Sequence, residues 1–121
     1  MPNNSANSQP IPIDIMREKG VKVALGCDGF YDSWSPYVPG DILEKVHNFC
    51  DYKGKSSERS LRESVSLITQ GVTPLNGEGK QVWPKVGDEA SFVLVNANCS
   101  AEAVARLPNN RQLMHKGKLY N

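Results

Sequence analysis

Apolar positions fall at strand spacing in some stretches of this chain and at helical spacing in others. From Val21 to Asp28 the alternation puts Val21, Val23, Leu25 and Cys27 on one face and Lys22, Ala24, Gly26 and Asp28 on the other. The first face is bulky and greasy; the second is nearly bare and ends in a carboxylate. The spacing predicts a buried strand that delivers Asp28 to its C-terminal end, with Gly29 breaking the run. A short helix is expected just before it over residues 13–19, with Ile15 and Met16 inward, Pro12 in its first turn and Gly20 as its cap.

Helical spacing returns after a loop. Ile42, Leu43, Val46, Phe49 and Cys50 share one face behind a capping signal at Asp41 and Glu44, and Gly54 ends the run. A second helix is expected from Ser57, with Leu61, Val65 and Ile68 inward and Gly71 as its stop. Past Thr73 the composition turns to loop material. An extended stretch is expected over residues 81–86, a strand near 92–95, a short helix over 101–107 closed by Pro108, and a terminal hairpin over 111–120 turning at Lys116-Gly117-Lys118.

Composition narrows the possibilities. With 121 residues the chain makes one modest core. A net charge of +1 with mixed signs gives no electrostatic case for nucleic acid or a membrane surface. The polar start and the lack of a long apolar run lead to a cytoplasmic expectation. Cys27, Cys50 and Cys99 share no ligand spacing and are expected as buried small hydrophobes in a reducing compartment. Neither a glycine-rich phosphate loop nor a Cys-x-x-Cys pair is present.

Two features carry candidate chemistry. Asp28-Gly29 after an apolar run either makes a simple turn or presents an acid. Tyr31, Trp34 and Tyr37 lie at helical-turn spacing in a Pro-rich loop and serve either as packing anchors or as a wall against a ligand.

Ile11-Pro12, Gly20-Val21 and the run Val23-Ala24-Leu25-Gly26-Cys27-Asp28 resemble the eighth-strand region of the amidohydrolase superfamily. The extension Asp28 to Asp32-Ser33-Trp34 is similar to its cytosine-deaminase-like branch, although near relatives there carry a second acid where this chain has Gly29. Gly87-Asp88-Glu89-Ala90-Ser91-Phe92 resembles the strand by which many amidohydrolases re-enter a small β-sandwich, with Ser91 in place of the usual acid.

The resemblance implies an α/β fold: a C-terminal fragment of a (βα)8, TIM-type barrel with strands of an accessory β-sandwich. A whole barrel takes about 250 residues, so the chain is expected to be a piece of one. Residues 1–72 would supply the last αβ unit and its covering helices, and residues 73–121 the sandwich segment. It also implies metal-dependent hydrolysis of C–N bonds in a cyclic amide or amidine, a small heterocycle. Asp28 would be the catalytic acid/base and a metal ligand, Trp34 a substrate wall, and the loop over residues 2–10 a border of the site. The divalent metal, zinc or iron, is expected in the full-length enzyme. It is not expected to bind tightly to this chain alone, because the family's remaining histidine ligands have no counterpart here: His47 and His115 fall on a covering helix and in the hairpin. The competing expectation is a non-enzymatic domain that self-associates or packs with a separate, N-terminal part of a barrel, since an unpaired barrel strand leaves open edges.

Overall fold

The computed structural model describes residues 11–120. Helix α1 (Ile13–Glu18) ends as Gly20 predicts. Gly20 takes φ +81°, its N–H donates to the carbonyl of Arg17, and the N–H of Val21 donates to that of Met16. This paired closure satisfies the last carbonyls of the helix. Its buried side chain is Ile13; Ile15, expected inward, is 59% exposed and Met16 half-buried.

The stretch after it departs from expectation. Residues 21–27 take no regular secondary structure and belong to no ladder, and no described strand lies beside them. A strand's backbone groups need a neighbouring strand, and the described part of this chain supplies none there. The alternation survives in part: Val23 and Leu25 are half-buried while Lys22, Ala24, Gly26 and Asp28 are exposed. Beyond the closure at Val21, a backbone bond pins the segment to the helices, from the N–H of Leu25 to the carbonyl of Leu67 at 2.9 Å.

Helix α2 (Ile42–Tyr52) starts where the side chain of Asp41 accepts from the N–H of Leu43, 3.0 Å, and ends on Gly54 with the same paired closure as α1. Helix α3 (Glu58–Ser64) is capped by Ser57 and tightens into a 3₁₀ turn over Val65–Leu67. The left-handed residue at that exit is Gln70 as well as Gly71. Helix α4 (Ser100–Arg106) packs against both, and Leu107 turns left-handed ahead of Pro108. Val46, Cys50 and Val104 form the core cluster, ringed by Leu25, Leu43, Phe49, Leu61, Val65 and Ile68. The helical core therefore draws on both sequence segments. Of the three cysteines only Cys50 is buried; Cys27 and Cys99 are exposed, because both lie outside the helical faces that pack.

Strands β1 (Phe92–Val95), β2 (Arg111–His115) and β3 (Lys118–Tyr120) form an antiparallel sheet in that order. Phe92 pairs with Met114 and Met114 with Leu119, and the expected hairpin turns at Lys116-Gly117. The 81–86 stretch forms one isolated bridge, Gln81 with Leu75, in place of a strand. Arg111 joins sheet to helices: its two terminal nitrogens donate to the two carboxylate oxygens of Asp41 at 2.8 and 2.9 Å.

Candidate functional site

Asp28 follows the pinned segment at a bend and is exposed. Its place along the chain is set three residues earlier, where Leu25 packs on the helical core and bonds to Leu67. No parallel strand flanks it, and it joins no ion pair, among the described residues.

Residues 29–40 then close on themselves. One carboxylate oxygen of Asp32, Oδ1, accepts from the N–H of Trp34 at 2.9 Å and of Ser35 at 2.6 Å. The N–H of Tyr31 donates to the carbonyl of Val38, and that of Val38 to the carbonyl of Ser35. A side chain at Gly29 would meet Ser35, whose Cβ lies 2.5 Å from where a Cβ at position 29 would stand, and Asp32 Oδ2 at 3.0 Å. The ring of Phe30 occupies the corresponding space at Gly40, 2.6 Å from such a Cβ, where φ is +72°. This closed loop holds out Trp34 and Tyr37, 94% and 92% exposed.

Asp28 and Trp34 thus lie at the start and middle of one structured stretch, and no hydrogen bond joins them among the described residues. The histidines are elsewhere. His47 sits on α2 with Nδ1 2.7 Å from the carbonyl of Val104, and His115 pairs with Lys118 in the hairpin. Among the described residues no three His, Cys, Asp or Glu side chains come together as a metal site. One exposed carboxylate does not fit a divalent ion by itself, so the described residues do not make the metal centre that the resemblance implies. The loop over residues 2–10, expected to border the site, lies outside the described residues.

A cleft of about 560 Å³ opens between α1, α3 and the turn at 73–77, but neither Asp28 nor Trp34 lines it. Arg17 and Arg62 share its walls with Asp14, Glu18 and Glu63, so charges of both signs face it, three acids against two arginines. Two contacts escaped sequence reasoning. The Asp32 turn had a visible signal in Asp-Ser-Trp-Ser-Pro, since Asp bonds readily to backbone two and three residues on. The Asp41–Arg111 pair had none, because 70 residues separate its partners.

The model of the amidohydrolase family matches residues 1–118. An uncharacterized protein of Escherichia coli (strain K12), YahJ, is 48% identical over 109 residues, which cover 90% of this chain and 24% of that protein. The chain therefore spans about a quarter of the length of that relative. No solved structure matches the chain. No described helix is long and apolar enough to cross a membrane.

Proposed function

The chain belongs to the amidohydrolase family, and from that premise we propose that it forms the C-terminal part of a metal-dependent hydrolase acting on C–N bonds of a cyclic amide or amidine, in the manner of cytosine deaminases. The observation that carries the reading is the succession of an alternating apolar segment, an exposed acid at its end, and a closed loop presenting an aromatic ring. In this reading residues 21–28 become a barrel strand once a longer polypeptide places strands beside them. Asp28 then stands at the rim where such barrels keep their chemistry.

Asp28 takes a proton from the attacking water and returns it to the leaving nitrogen, a general acid/base role that contributes roughly 10²- to 10⁴-fold. Trp34 offers a flat apolar face to the heterocycle. The divalent metal, zinc or iron, would sharpen the water's acidity. Its histidine ligands would have to come from the rest of the polypeptide, and Asp28 would add one carboxylate.

The experiment grafts this chain in place of the matching quarter of the E. coli relative and measures ammonia release from cyclic amidines, cytosine included, and ring opening of cyclic amides, with zinc or iron supplied. Asp28→Asn is expected to lower turnover by at least about 100-fold. Unchanged turnover removes Asp28 from the chemistry.

A second reading is favoured by a specific observation: among the described residues no strand pairs with the segment at 21–27, and Asp28 is exposed. The chain would then be a non-enzymatic packing module that binds a second copy or a separate barrel fragment through that edge. Light scattering decides it, because a concentration-independent monomer with no partner counts against self-association.

A further inference from the structure

We infer that Asp32 is a positioning residue, one that fixes the backbone from which the aromatic ring of Trp34 projects before any ligand arrives. Its functional meaning rests on Trp34 as a substrate wall, whereas the positioning itself does not.

An indole 94% exposed has almost no packing to hold it. Left to its neighbours, such a ring samples several rotamers on a mobile backbone, and a ligand must then bear the cost of ordering both. In this loop the backbone under Trp34 is ordered from within. Asp32 Oδ1 takes the N–H of Trp34 and of Ser35, so two successive donors converge on one anionic acceptor. Bonds from backbone donors to a charged acceptor are stronger than those between neutral groups.

Two further contacts make the turn specific to this sequence. Ser35 can come down over residue 29 only because that residue is glycine. The loop's two ends are also joined, by Tyr31 N–H to the Val38 carbonyl and by Phe30 over Gly40. Asp32 is exposed and, among the described residues, joins no ion pair and hydrogen-bonds only through these two backbone contacts. The arrangement spends a carboxylate on the backbone under one exposed ring.

The test uses the 121-residue chain with Trp83→Phe, which leaves Trp34 as its one tryptophan, and time-resolved fluorescence anisotropy. In this background Trp34 is expected to show a slow component that follows overall tumbling, set by its held backbone, beside a fast one from rotation of the indole itself. Asp32→Ala should shift most of the amplitude into a fast local component. Asp32→Asn, which retains an acceptor oxygen, should restore most of the slow component. Gly29→Ala should mimic Asp32→Ala by lifting Ser35, while Ser33→Ala should change nothing. Far-UV circular dichroism and the melting temperature are followed alongside, and the Asn variant keeps the comparison decisive if Asp32→Ala does not fold. Equal slow components in wild type and Asp32→Ala, or in wild type and Gly29→Ala, overturn the assignment. So does loosening by Ser33→Ala as large as that by Asp32→Ala. None of these readouts involves a ligand, so the backbone under the ring can prove positioned by Asp32 even if Asp28→Asn leaves turnover intact.

Discussion

Val46 and Val104 in the packed helices are 0% exposed and Leu67 is 1% exposed, whereas Trp34 and Tyr37, in the loop that leads into α2, are 94% and 92% exposed. Both regions are rich in apolar residues, and both are ordered, by different means. The helices exclude water from facing side chains, so their order and their stability have one source. The 29–40 loop is ordered by backbone hydrogen bonds and by contacts at two glycines, and its largest apolar groups contribute almost nothing to folding. Apolar surface that a chain holds out rather than buries suits recognition better than stability.

Breaking the core should have the largest effect on stability. Leu67→Ala empties a fully buried site that also anchors the 21–27 segment through its carbonyl, and should cost about 3 kcal/mol. Urea unfolding measures it; a loss below about 1 kcal/mol would mean that the site collapses without a cavity.

The contact between helices and sheet comes next. Arg111→Ala removes both bonds to Asp41, in a pair whose side chains are only about a quarter exposed. The expected loss is about 1–2 kcal/mol at neutral pH. The guanidinium of Arg111 holds the Asp41 carboxyl below its ordinary value of 3.8, against the opposing pull of burial, with help from the N–H of Leu43. A carboxyl lowered in the folded state binds fewer protons there than in the unfolded chain. Its contribution is therefore present above about pH 4 and is lost as the pH falls through the lower folded value. Wild type should weaken over that acid range more steeply than Arg111→Ala, and parallel pH profiles would show that the pair does not carry the linkage.

The smallest effect on folding belongs to the exposed ring. Trp34→Ala should change stability by no more than about 0.5 kcal/mol, because the side chain leaves little water on folding. A larger loss by the same urea assay would mean that Trp34 packs against something, and would erase the contrast between the two regions.

Much of the architecture was legible in residue spacing. The faces of α2 and α3, their caps at Asp41 and Ser57, the closure at Gly20 and Gly54 and the hairpin turn at Lys116-Gly117 all follow from contacts a few residues apart. Such contacts depend on side-chain type and local dihedral preference, which a sequence displays directly. The acid at position 28 and the ring at position 34 could likewise be singled out from the residues around them.

What neighbours at long range do could not be read in advance. Ile13 faces inward and Ile15 outward because tertiary contacts chose between two adjacent faces of a one-and-a-half-turn helix. Residues 21–27 have the alternation of a strand yet no ladder, since pairing is a property of two segments and periodicity describes only one. Val104 in the α2–α3 core and Arg111 on Asp41 were decided in the same way, by surfaces that meet only once the chain has folded.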